Sequence, residues 1–426
     1  MATKTKVFWA IFAVMILCGL AYALPPVQSQ FSFNYNQLPT SFHNAFFPSN
    51  QETLNAETQT SGTPLPGEST ETPEGGIAAT QTAPVVSPTP QVTATSLPDS
   101  VALKGVKYVD QHGLWNAAPA DSLAMQLSFW GWTGTVDSIE QIVRPYTEDY
   151  NVMPYELVDF VTSQTNLSVL TRAGGNLDVL KRLVAAGYVV LVEKGINVQG
   201  AAAGKSSWTA HYDVISGYND TAQEVIAQDS AYPPDLHIKY DALIEEWRPF
   251  NYTFLVVYPS ENEKALMSAL GEYADEGNSY RDAYTLATQE LNSLSGIDAF
   301  FAYFNRGSSQ VYLQDYTGAA DSYDQAFALY AKLPPDTQPF RMMWYQTGPY
   351  YAYFYMFRYT DLIDLADQTI KSTDKPYLEE SYYWRGRAER ANGDTNSDIA
   401  DQRLALKYHP GFKPSQDELA QLGINQ

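Results

Sequence analysis

The chain has 426 residues, of which 45% are hydrophobic and 14% aromatic; that length gives room for about two or three globular domains, each with its own core. Its formal charge of -22 excludes unaided nucleic-acid binding, because phosphate would be repelled rather than neutralised. Cys18 is the sole cysteine and lies in the N-terminal apolar run, which excludes a disulfide, a thiolate metal site and a cysteine nucleophile from the folded part.

Lys4 and Lys6 precede an apolar stretch over residues 7–23, the charged-then-apolar pattern of a secretory signal or an N-terminal anchor. At roughly 17 residues it sits at the lower limit for spanning a bilayer. Ala21-Tyr22-Ala23 offers a small-residue cleavage site, so residues 1–24 read as a signal peptide or membrane anchor. Leu17 stands where a lipoprotein signal wants a small residue before Cys18, which argues against lipidation. With the lysines inside, the rest of the chain lies outside the cytoplasm, cell-envelope-anchored or secreted. Residues 25–100 are predicted to be a stalk. From residue 51 onward they are rich in Thr, Pro, Ser, Gly and Glu, a composition that cannot bury enough apolar surface to offset chain entropy and stays disordered.

Residues 101–262 alternate helices and strands. A buried helix over residues 121–130 carries Leu123, Leu127 and Trp130 at helical spacing. Helices follow over 136–144 and 154–165, the latter with Pro154 in its first turn. Asn176 caps a helix over 177–186, and Gly187 ends it. Strands are predicted over 188–193, 211–218, 224–229 and 253–258, giving an α+β fold with an antiparallel sheet beside helices.

The stretch QHGLWNAAPADSLAMQLSFWGW resembles the active-site segment of the bacteriocin-processing, double-glycine-leader cysteine peptidases, a papain-like family. Trp115, Asn116, Leu123, Ala124, Met125, Phe129, Trp130 and Gly131 fit its pattern without a gap. Three later blocks follow in the family's order: NVMPYEL from Asn151, WTAHYDVISGYND from Trp208 and AQDSAYPPD from Ala227. The resemblance implies a histidine base at His211, an orienting acid at Asp229 and an oxyanion donor at Gln111. It puts the nucleophile, a cysteine favoured as thiolate by a helix N-terminus, at Ala118, with Ala117 as the one-residue alternative. Neither alanine can attack a carbonyl, so these four positions are expected to be vestiges of a catalytic site. Pro119-Ala120 reverses the family's small-residue-then-proline order, and Ala210 replaces its usual glycine before the histidine. Ser122, one helical turn inward from Ala118, is the candidate displaced nucleophile; Asp121 reads as a first-turn acid favoured by the helix dipole. The five histidines (His43, His112, His211, His237 and His409) show no pair at metal-ligand spacing, so no metal or cofactor is expected.

Residues 263–426 are helical and repetitive, and they resemble a tetratricopeptide array. Gly307, Tyr316, Ala319, Tyr323 and Ala326 fall at its offsets, and Gly386, Gly393, Ala405 and Pro410 repeat the pattern. A degenerate unit centres on Tyr359, Leu362 and Ala366, and a helical pair over 263–293 precedes the array. The tyrosine-rich run over 345–359 reads as packing between helices rather than a ligand platform. The whole arrangement resembles bacterial envelope proteins that couple these two modules. It implies a non-catalytic protein that binds a peptide or protein partner through a cleft and a repeat surface. The alternative is an active peptidase or other hydrolase with a displaced nucleophile.

Overall fold

The computed structural model describes residues 96–111, 117–146, 149, 151–198, 206–373 and 377–424. The predicted signal or anchor, the stalk up to residue 95, and His43, His112, Trp115 and Asn116 lie outside the described residues. Among the described residues no helix is long and apolar enough to cross a membrane.

The first half is built on a fully antiparallel sheet with helices on both faces. In chain order its elements are β1 (Ser100–Ala102), α1 (Ala118–Phe129), α2 (Val136–Val143), α3 (Pro154–Gln164), β2 (Leu167–Arg172), α4 (Leu177–Ala185), β3 (Val190–Asn197), β4 (Trp208–Asn219), β5 (Glu224–Gln228), β6 (Leu236–Lys239), α5 (Tyr240–Trp247) and β7 (Phe254–Pro259). The strand order is β2-β7-β3-β4-β5-β6, and β1 pairs with β4 beyond the end of β3. Local chemistry sets the helix starts: Thr135 and Ser138 form a capping box on α2, and the Asn176 side chain accepts from the Val179 N–H at 2.9 Å.

Burial on both faces explains why the central strands read as continuous apolar runs. Leu123 and Leu127 of α1, with Leu157 and Phe160 of α3, cover Leu191, Tyr212, Leu255 and Val257. Val179, Leu180 and Leu183 of α4, with Leu243 and Trp247 of α5, cover Val190, Val192, Ile215 and Val256 on the other. Each such side chain stabilises the fold by about 1.5–3 kcal/mol when removed from water.

Three expectations are corrected here. The strand holding His211 begins at Trp208, so His211 lies inside it rather than opening it. Strands β1, β2 and β6 and helix α5 were not anticipated: β1 and β6 are short, and β2 forms because register with β7 pairs Leu167–Arg172 against Phe254–Pro259. Pro98–Ser100, assigned from composition to the stalk, belong to the folded body. The Pro98 carbonyl accepts from Tyr218 Oη, and Ser100 pairs with Asn219.

The second half is helical: α6 (Glu263–Leu270), α7 (Glu276–Glu290), α8 (Gly296–Tyr312), α9 (Tyr316–Tyr330), a single turn at Met342–Tyr345, α10 (Gly348–Tyr355), α11 (Tyr359–Lys371), α12 (Glu379–Ala391), α13 (Thr395–Tyr408) and α14 (Lys413–Gln421). Its successive pairs pack closely where small residues allow it. A Cβ on Gly307 of α8 would stand 2.7 Å from the Tyr323 ring of α9, so only glycine fits that crossing. Tyr350, Tyr351 and Tyr353 are buried in the same aromatic core. The described residues from Pro98 onward form one compact unit. Trp208 and Phe250 of the sheet half stack 5.8 Å apart, and they share a core with Phe301 and Tyr345 of the helical half. Asn305 joins the two halves by donating to the Arg248 carbonyl and accepting from the Asn251 N–H.

Candidate functional site

Helix α1 starts at Ala118, with Pro119 in its first turn, where a missing N–H costs nothing. Ala118 is 1% exposed and His211 3% exposed. Two side chains tie the first turn of α1 to the neighbouring strands. Ser122 Oγ donates to the Tyr212 carbonyl at 2.8 Å, directly beside His211. Asp121 is influenced by the side chain of Ser230, directly beside Asp229, which works against its burial. Ser230 also engages Gln111: its hydroxyl donates to Gln111 Oε1 at 3.1 Å, and its carbonyl accepts the Gln111 N–H at 3.0 Å. The Nε2 of Gln111, the group that would donate to an oxyanion, takes no part in either bond.

His211 Nε2 lies 2.8 Å from Asp229 Oδ1 and 3.5 Å from Asp213 Oδ1. The register pairs Lys194 with His211 across β3 and β4. Lys194 Nζ reaches Asp213 at 2.7 Å, Glu246 at 3.0 Å and Asp229 at 3.7 Å. Burial favours the neutral amine, but Asp213, Glu246 and Asp229 outweigh it and hold Lys194 charged. Burial also pushes the Asp213 carboxyl up to about 7, against the pull of Lys194. Against the same burial cost, the hydrogen bond and charge of His211, with Lys194, hold Asp229 below the usual carboxylate range. The pair is therefore an ionised acid gripping one imidazole nitrogen, while Nδ1 takes no part in these contacts.

The structure thus places three of the four sequence-derived positions in two hydrogen-bonded pairs, Gln111–Ser230 and His211–Asp229, that meet at the adjacent residues Asp229 and Ser230. Ala118 joins them through the first turn of its own helix. One expectation for that turn holds and one is corrected. Asp121 stands in the first turn, but it is 3% exposed, and burial, then the nearby Glu140, pushes its carboxyl up to about 6. Ser122 is fully buried and its hydroxyl is committed to the Tyr212 carbonyl, so it is not poised for attack. Sequence reasoning missed Lys194 and Asp213. Their signal was charge inside two buried strands, Glu193 and Lys194 in β3 and Asp213 in β4, with Asp213 two residues beyond His211 and so on its face.

Two cavities lie elsewhere. One of about 140 Å³ sits between the halves, lined by Met153, Tyr155, Glu193, Phe250, Tyr345 and others, but by neither Ala118 nor His211. A groove of about 610 Å³ runs along the helical half, lined by Phe300, Phe327, Tyr330, Phe340, Arg358, Asp361 and others.

No curated protein matches this chain. Among solved structures it is similar to one described as a C39-like peptidase from Bacillus anthracis, at 14% identity and a TM-score of 0.30, over 37% of this chain and 96% of that one. The model of the peptidase C39-like family matches residues 104–254, the span that holds β2 to β6 and the Gln111–Asp229 constellation. Residues 104–254 are a papain-like domain of the peptidase C39-like family.

Proposed function

We propose that this chain is a non-catalytic, peptidase-like protein of the extracytoplasmic face, which binds a peptide or protein partner and cuts nothing. One observation carries the reading: the only cysteine of the chain is Cys18, outside the peptidase-like domain, so the place the resemblance gives to the nucleophile, Ala118 or else Ala117, has no thiol. Without a thiolate the His211–Asp229 pair has no proton to take from an attacking group. Ser122 offers no substitute, because its hydroxyl is spent on the Tyr212 carbonyl.

The helical half supplies the binding surface in this reading. Its paired helices follow tetratricopeptide offsets at Gly307, Tyr323 and Gly386, and stacked repeats of that kind hold extended segments. The groove lined by Phe300, Phe327 and Tyr330 also holds Asp364 and the ion pair of Arg358 with Asp361, which suits a segment with apolar anchors. Lys4, Lys6 and the apolar run after them carry the extracytoplasmic assignment and the membrane attachment or export.

Incubation of the full chain with peptides containing a double-glycine motif tests the non-catalytic claim. No cleavage is expected from the chain as it stands. Turnover that disappears in His211→Ala would overturn it.

A further inference from the structure

A second buried cluster joins the two halves and shares no residue with the His211 constellation. Asp149 and Glu156 come from the α3 region, Glu379 and Glu380 from the first turn of α12, and His409 from the end of α13. None of the five is more than 8% exposed. His409 Nδ1 lies 3.0 Å from Glu379 Oε1, 3.6 Å from Glu156 Oε1 and 3.8 Å from Asp149 Oδ2. One donor atom each from Asp149, Glu379 and His409 lies within 4.8 Å of the others. Ligands about 2.0–2.2 Å from one ion stand roughly 3–4 Å apart, which the separations of Glu379 and Asp149 from His409 Nδ1 meet.

Ionised together, these carboxylates would repel one another. Among the described residues, His409 is the only cationic-type side chain within ion-pair reach of Glu156 and Glu379, and burial lowers its own proton affinity. Burial, then neighbouring carboxylates, raises Glu156 and Glu379 well above the usual range. The His211 cluster is different, because there the ammonium of Lys194 already supplies the cation.

An independent observation points to a ligand. Asn151 is 2% exposed; its Nδ2 donates to Glu380 Oε2 at 2.9 Å, while its Oδ1 has no hydrogen-bond partner. Glu379 Oε2, on the carboxylate whose other oxygen meets His409, is likewise buried without one. Orphaned buried oxygens are costly, and both are atoms that bind cations. We propose that Glu379, His409 and Asp149, with Asn151 Oδ1 or Glu156 completing the set, hold one divalent first-row metal ion of the Zn²⁺ or Mn²⁺ class. The mixed imidazole and carboxylate donors select that class over Ca²⁺ or Mg²⁺. Full burial makes the site structural rather than catalytic, a clamp between the peptidase-like domain and the helical array.

The test uses the full chain stripped with a chelator, then titrated at pH 7.5 with ZnCl₂, MnCl₂ and CaCl₂. Bound metal is read by calorimetry and stability by thermal melting. Uptake of one equivalent of Zn²⁺ or Mn²⁺ with a melting temperature raised by several degrees is expected. In Glu379→Gln and in His409→Gln the affinity should fall at least tenfold. Metal-free Glu379→Gln should keep the circular dichroism spectrum and a cooperative melt like those of the stripped chain, so a folding defect cannot pass for lost binding. No uptake, uptake of Ca²⁺ alone, or uptake unchanged in both variants overturns the proposal.

Discussion

Replacing Lys194 by Met removes the one ammonium that serves three acids while keeping most of the side-chain volume. Lys194 is 3% exposed, and its Nζ lies 2.7 Å from Asp213 and 3.7 Å from Asp229. At an effective dielectric constant of about 20 these separations correspond to gross attractions of about 6 and about 4 kcal/mol. Much of that is offset by the cost of burying the charges, and breaking a buried pair by removing one partner costs about 3–5 kcal/mol net. Glu246 adds little, since its side chain is 37% exposed and screened. Urea denaturation at pH 8 should therefore show Lys194→Met less stable by about 3–5 kcal/mol. Lys194→Met/Asp213→Asn should regain part of that loss, because the nearest orphaned carboxylate is gone. The penalty should shrink at pH 5.5, where Asp213, raised to about 7, is already protonated. It should not vanish, because Asp229 stays ionised there. A Lys194→Met chain within about 1 kcal/mol of the parent at pH 8, well below the range for a broken buried pair, would refute the claim that this lysine neutralises the cluster.

Ser122→Ala should cost about 1–2 kcal/mol, by orphaning the Tyr212 carbonyl; a serine-directed probe that labels Ser122 in the parent would contradict its buried, bonded position. Arg385 makes paired hydrogen bonds to Asp401, both at 2.8 Å, and another to Asp367 at 2.6 Å. Arg385→Met should lower the urea midpoint by the equivalent of about 2–4 kcal/mol, and an unchanged midpoint would show that α11, α12 and α13 do not depend on it. Chelator-treated protein should be more stable at pH 5.5 than at pH 8. Asp121, Asp213, Glu156 and Glu379 all have raised folded values and outnumber the lowered His409, which works in the opposite direction, so the native state binds more protons than the unfolded one in this window. Their contribution is full below the unfolded values near 4 and is lost as pH rises through the folded ones. The lowered Asp229 works in the other direction only below about 4, its unfolded value; a midpoint that rises from pH 5.5 to pH 8 would show these acids are not protonated in the fold.

The elements legible in the sequence were those whose own chemistry marks them. Asn176 and Gly187 bracket α4, Pro154 opens α3, and the run from Tyr188 to Glu193 leads into β3, each because a cap, a ring or an apolar run acts over a few residues. The blocks around Trp130, His211 and Asp229 were equally readable in order, and the fold brings His211 and Asp229 within hydrogen-bond distance. Strand β2 escaped notice because its partner, β7, is nearly ninety residues away, and β1 and β6 are too short to show a period.

The sequence alone determined that no thiol can stand at the head of α1, because composition admits only Cys18. The tertiary structure alone decided what surrounds that head. It buried Asp121 and committed Ser122, and it set Lys194 among three acids drawn from β4, the loop after β5 and α5. It also gathered Asp149, Glu156, Glu379 and Glu380 on His409 across more than two hundred residues of chain. Charges separated so widely carry no local pattern; their mutual effects appear only once packing removes the water between them.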